Sequence, residues 1–206
     1  MKNIIILLVL CSYSISGQNL LGNKFVDYSN EHSIDEDGNT IAVTNKIPNE
    51  DQNIEVFDYV NNQWQARPSS SGSVGSKIQL SNDGNTLIVG APSLSPPEFV
   101  TVFHWDGFNW NQRGNAFTSN TANTTFGTRV YVNDDGTRIF FKGVQDVYFN
   151  YQWNGTTWVL LNTFNNLGFR DISINSAGTK IAYTENNSTS SSIANYSIKI
   201  LELNKN

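Results

Sequence analysis

One turn-and-strand unit appears four times, and three of the copies lead into a strand that ends in an aromatic residue with a tryptophan five positions on. These two features predict an all-β protein, a β-propeller of four four-stranded blades. Composition agrees: the chain is rich in Asn, Ser, Thr, Gly and aromatic residues and poor in Ala, Leu and Glu, as suits strands joined by tight turns. The copies read SIDEDGNTIAV from Ser33, LSNDGNTLIVGAP from Leu80, YVNDDGTRIFF from Tyr131 and SINSAGTKIAY from Ser173.

Aligned on Gly38, Gly84, Gly136 and Gly178, which lie 42 to 52 residues apart, the units show their elements in order. An alternating first strand carries Ile34, Leu80, Val132 and Ile174, preceded two residues earlier by His32, Ile78, Val130 and Ile172. The Asp-Gly pair, Ala-Gly in the last copy, is expected to supply the positive φ of a hairpin turn. The second strand is more fully apolar: Ile41-Ala42-Val43, Leu87-Ile88-Val89, Ile139-Phe140-Phe141 and Ile181-Ala182-Tyr183. A third strand ends in EVFDY, TVFHW and NYQW, pairing Tyr59 with Trp64, Trp105 with Trp110 and Trp153 with Trp158. The polar turns VNNQ, DGFN and NGTT join it to a fourth strand.

The chain ends extend this pattern. Lys2, the apolar run Ile4 to Leu10 and the small residues of CSYSISGQN have the anatomy of a secretory signal peptide over 1–17. The run is shorter than the roughly 20 residues of a spanning helix. A soluble protein, secreted, periplasmic or at the cell surface, is expected. Cys11 is a lipid acceptor only if processing tolerates the bulky Leu10 before it; cleavage after Ser16 or Gly17 leaves no cysteine and hence no disulfide. Residues 18–206 then form one propeller domain, with repeats at about 26–72, 73–124, 125–166 and 167–206 plus 18–25. The fourth unit stops at its third strand, SIKILEL, whereas NLLGNKF (Asn19 to Phe25) matches NQRGNAF (Asn111 to Phe117) after the second unit's tryptophan. The N-terminal segment is therefore expected to complete the last blade and close the ring. A monomer follows from that reading; a dimer building a larger ring is its alternative.

The unit resembles the FG-GAP-type repeat of integrin-like and bacterial secreted propellers. The resemblance rests on Phe126-Gly127, on Val74-Gly75 and Leu167-Gly168 at related positions, on the Asp-Gly turn, and on the hairpin from Trp105 to Trp110. SINSAGTKIAY is also similar to the turn of TolB-type repeats. The resemblance covers nearly all of 18–206. It implies a recognition or adhesion module, and it raises calcium at Asp35 and Asp37, since integrin-type repeats often hold the ion in such loops. Integrin-like propellers usually have more than four blades, so four units make either a small ring or part of an assembled one.

The remaining residues narrow the chemistry. Net charge is −5 with scattered basic residues, which disfavours nucleic acid as a partner. Asp35-Glu36-Asp37-Gly38-Asn39 and Asn133-Asp134-Asp135-Gly136 lack the closing acid of a calcium loop, so both read as turns, with no metal and no cofactor. Tyr59, Trp105 and Trp153 are the ligand-binding candidates, able to stack on a sugar; their regular placement equally suits packing of each outer hairpin. His32 and His104 are the only histidines, and His32 is the one candidate for a channel-sited hydrolase. No nucleophile elbow, His cluster or phosphate loop accompanies it. The sequence thus predicts a non-enzymatic module for a protein ligand outside the cytoplasm. A carbohydrate-binding protein is the alternative, and a small hydrolase a more distant one.

Overall fold

The computed structural model describes residues 20–23, 25, 28–45, 53–68, 75–92, 97–121, 125–145, 147–165, 172–186 and 196–203. The signal segment 1–17 and Cys11, with Val74, Leu167 and Gly168 of the repeat motif, lie outside them. The described residues hold sixteen strands and no helix, in four antiparallel sheets. Among them no helix is long and apolar enough to cross a membrane.

The first sheet has the order β1 (Tyr28–Ile34), β2 (Thr40–Asn45), β3 (Ile54–Val60), β4 (Gln63–Ala66). The second runs β5 (Lys77–Leu80), β6 (Thr86–Ala91), β7 (Glu98–Trp105), β8 (Trp110–Gln112), and β9 (Phe117–Ser119) pairs with β7. The third is β10 (Val130–Val132), β11 (Arg138–Lys142), β12 (Tyr148–Trp153), β13 (Trp158–Phe164). The fourth comprises β14 (Ile172–Ile174), β15 (Lys180–Asn186) and β16 (Tyr196–Glu202). The repeat unit is thus a meander from an inner to an outer strand.

The register repeats too. Ala42 faces Val56, Ile88 faces Val102, Phe140 faces Asn150 and Ala182 faces Ile200. Because side chains alternate across a strand, each sheet has two faces, and both are apolar. Ala42, Ile54 and Val56 of the first sheet pack against Ile78, Leu80, Leu87 and Val89 of the second. Ile88, Val100 and Val102 meet Val130, Val132, Ile139 and Phe141 of the third. Phe140 and Tyr148 meet Ile172, Ile181 and Tyr183 of the fourth. The core is therefore three layers between blades rather than one central mass. Full burial of such side chains contributes about 1.5–3 kcal/mol each, the force that holds blade to blade.

The turn differs from the sequence expectation in one detail. Gly38, Gly84, Gly136 and Gly178 are left-handed, at φ 76°, 65°, 67° and 65°, but the Asp or Ala before each is not among the positive-φ residues. The loop is a four-residue turn in which the amides of Gly84, Gly136 and Gly178 bond back to the carbonyls of Ser81, Asn133 and Asn175. Asp35, Ser81, Asn133 and Asn175 each accept from the amide two residues past the glycine. Asp37, Asp83 and Asp135 accept from the residue just past it. The Asx bond explains the aspartates: it closes the loop with a side chain where a two-residue turn would use backbone. The doubly left-handed turn occurs instead in the outer hairpin of blade one, at Asn61 (φ 52°) and Asn62 (φ 62°).

The N-terminal segment also departs from expectation. Among the described residues β16 pairs only with β15, so the last blade keeps three strands and no sheet closes the ring. Leu21, Gly22, Asn23 and Phe25 lie on the first blade. Trp64 Nε1 donates to the Leu21 carbonyl at 3.0 Å, the Trp64 amide donates to Asn23 Oδ1 at 3.3 Å, and Phe25 packs edge-on against Phe57 at 5.0 Å. The segment 113–117 treats blade three in the same way. Trp158 Nε1 donates to the Arg113 carbonyl at 2.8 Å, and Phe117 lies 4.6 Å from Tyr151. The sequence match between the two segments thus marks a strap laid over the following blade.

Candidate functional site: the inner groove and the arginine junctions

The first strands of three blades line up side by side and leave a groove of about 160 Å³ between β1, β5 and β10. Glu31, Lys77, Arg129 and Tyr131 alternate along their strands with residues of the blade interfaces, and two interface residues, Ile78 and Val130, border the groove as well. Glu31, Lys77, Ile78, Thr128, Arg129, Val130 and Tyr131 line it. Lys77 Nζ is ion-paired with Glu31 Oε1, joining the first and second blades across the groove. Below it the wall is sealed by side chains that accept the next blade's amides. Ser33 Oγ accepts from Leu80 N at 2.9 Å, and Gln79 Oε1 from Val132 N at 2.7 Å. Two basic residues and one acid at a concave, partly apolar surface form a place that can receive an anionic group.

His32 does not line this groove. It is exposed and occupies the slot that Ile78 and Val130 use to pack on the preceding blade. Asp35 and Asp37 are engaged with turn amides, and the hydrogen bonds from Asn39 hold the Asp37 carboxyl below the usual carboxylate range. Among the described residues no group of three or more His, Cys, Asp or Glu side chains is placed to hold a metal ion.

The candidate aromatics form three cross-strand pairs. Tyr59–Trp64, Trp105–Trp110 and Trp153–Trp158 have ring centroids 5.1, 5.6 and 5.2 Å apart. Tyr59, Trp105 and Trp153 are half-buried, whereas Trp110 and Trp158 are buried. The Arg67 guanidinium stands over Trp105 at 5.1 Å and Trp110 at 5.5 Å, and that of Arg113 over Trp153 at 5.6 Å. One side of the Trp105, Trp110 and Trp153 rings is therefore covered by an arginine of the preceding blade.

These arginines were not singled out by sequence reasoning, although both stand three residues past a hairpin tryptophan. Each reaches on to the turn of the next blade: Arg67 Nη1 donates to the Gly84 carbonyl at 2.7 Å and Arg113 Nη1 to that of Gly136 at 2.9 Å. Asp58 orients Arg67 through contacts of 2.7–3.0 Å. In the third blade β13 continues unbroken where the second sheet splits into β8 and β9, and Arg138, two residues past the turn glycine, makes the equivalent bond to Gly178 at 2.9 Å. Turn backbones join in the same direction. Glu36 N donates to Asn82 O, Asp83 N to Asp134 O, and Asp134 N to Ser176 O, at 3.1, 3.3 and 3.0 Å.

No family model matches the sequence, and no curated protein does. Solved structures do. The β-propeller domain of the trilobed protease from Pyrococcus furiosus, described as having an open velcro topology, aligns with a TM-score of 0.58 at 14% identity over 87% of this chain and 55% of that one. TolB from Acinetobacter baumannii aligns with a TM-score of 0.53 at 17% identity over 84% and 40%. KlAtg21, solved in complex with the coiled-coil of AgAtg16, aligns with a TM-score of 0.52 at 14% identity over 84% and 57%. The chain thus spans about half the length of these structures. At such identities the likeness shows the β-propeller fold alone.

Proposed function

We propose that this protein is an exported, non-catalytic propeller module that binds a protein ligand through the groove of its inner strands. The carrying observation is the groove itself, with Lys77, Arg129, Thr128 and Tyr131 around a surface-accessible depression whose sole acid, Glu31, is paired with Lys77. Its chemistry suits an acidic side chain or a C-terminal carboxylate of a peptide segment. One propeller of similar fold has been solved with a bound coiled coil, which supports the use of this architecture for protein recognition. Export rests on Lys2 and the apolar run Ile4 to Leu10, and an adhesive role on the repeat resemblance.

Fluorescence anisotropy with a random decapeptide library, pooled by acidic content, tests the reading. Acidic pools should bind, and Lys77→Ala with Arg129→Ala should abolish that binding while the protein stays folded. Failure of every pool at millimolar peptide, or binding indifferent to the double substitution, overturns it. Binding of oligosaccharides, read as a change in tryptophan emission, would instead favour the carbohydrate alternative at the uncovered sides of Tyr59, Trp105 and Trp153.

A further inference from the structure

The two ends of the blade series are unequal and complementary. In every internal junction the leading face of one blade, formed by its second and third strands, is covered by the trailing face of the next. Ile54 and Val56 occupy the leading slots in blade one, Val100 and Val102 in blade two, and all four are buried. The same slots in blade four hold Ile198 and Ile200, which are 77% and 71% exposed. At the other end, the trailing slots filled elsewhere by buried Ile78 and Leu80 hold His32, which is exposed, and Ile34, which is 54% exposed. Each end offers the half of a junction that the other end lacks.

The straps agree. In blade two the segment after Trp110 is at once the outer strand of its own sheet, through β8 and β9, and the strap over blade three. Leu21, Gly22, Asn23 and Phe25 already lie as a strap over blade one, while β16 has no outer neighbour among the described residues. Among the described residues, the outer position beside β16 is thus open, and the segment that would suit it is carried on the back of blade one. The polar links also have their counterparts. Lys180 stands in the slot of Arg138, facing where the turn carbonyl of a following Gly38 would lie, and Ser176 stands in that of Asp134, which donates forward.

The geometry points to a second copy of this chain as the occupant: blade four of each copy docks on blade one of the other, with the partner's N-terminal strap beside β16. A contact between two different faces propagates unless the rotation closes it, and two half-rings close after two junctions. The arc is of that size, since four blades match 55% of a propeller domain. Apolar Ile198 and Ile200 on an open strand edge are also a surface that an unassembled protein has to shield.

Light scattering on the full chain tests this. The native protein should show twice the mass of one chain. Ile200→Lys and Ile34→Glu should each halve that mass at micromolar concentration, and the double variant, which places Lys against Glu at both junctions, should restore it. Both side chains are more than half exposed, so circular dichroism should be unchanged; Ile198→Lys replaces Ile200→Lys if it is not. A single-chain mass for the native protein overturns the inference, as do a doubled mass in both single variants and a double variant as monomeric as either single one.

Discussion

Arg113 reaches from the second blade to the third, where its Nη1 donates to the Gly136 carbonyl at 2.9 Å while its guanidinium lies over the Trp153 ring. One side chain thereby joins an outer hairpin to an inner turn. Arg113→Ala removes a charge-assisted hydrogen bond and a cation–π contact together, a loss of about 2 kcal/mol. Urea denaturation should show a lower midpoint with an unchanged slope. Arg113→Lys should recover only part of the loss, because an ammonium cannot stack and fork at once.

Gly136 is held by more than its left-handed φ of 67°, since a Cβ there would stand 2.0 Å from Thr86 Oγ1 of the preceding blade. Gly155, at φ 97°, has nothing within 4 Å. Alanine at Gly155 should cost about 1–2 kcal/mol of backbone strain. Alanine at Gly136 should cost clearly more, or prevent folding. Equal melting temperatures for the two variants would mean that the close approach of turn and blade contributes nothing.

Tyr28 should make the fold sensitive to alkali. Burial, the hydrogen bond to Glu55 at 2.7 Å and that carboxylate's charge push its pKa from 10.0 up to about 12. A raised folded pKa gives stability that is complete below pH 10 and is lost as pH rises toward 12, because the unfolded chain ionises first. Tyr28→Phe should flatten the decline in melting temperature over that window.

His104 works in the opposite direction. Burial and the neighbouring Arg113 charge hold it below 6.5, with Nδ1 facing Thr86 Oγ1 at 3.4 Å. A depressed folded pKa gives stability present above pH 6.5 that is lost as pH falls below it. Thermal melts between pH 5 and 8 should therefore show a steeper acid limb in the native protein than in His104→Gln.

The strand order of each blade was legible because Gly38, Gly84, Gly136 and Gly178 mark one turn and the aromatics mark another. Apolar second strands such as Leu87-Ile88-Val89 reflect packing on both faces. The strap was legible as a copy of 111–117, but its partner was not: a matching sequence says which slot a segment fills and leaves open which chain fills the slot beside it. The arginines went unseen because the acceptors they reach in the next blade are backbone carbonyls, which leave no letter in the sequence. His32 shows the limit of aligning slots. Its strand borders the groove, and Ile78 and Val130 of the same slot line it, yet His32 does not.

The turn-to-turn bonds from Glu36 to Asn82, Asp83 to Asp134 and Asp134 to Ser176 all run one way along the chain. A series coupled only between neighbours behaves like a one-dimensional lattice, in which a defect at one site is felt by the adjoining site and fades beyond it. Loss of order should accordingly begin at whichever boundary is unsealed and advance unit by unit. In the single chain, such as the Ile200→Lys variant, amide exchange would then be fastest in β14 to β16, intermediate in the first sheet under its strap, and slowest in the two middle sheets. The same locality lets a gene lengthen such a protein by duplicating one unit, since a new copy needs to fit only its two flanks.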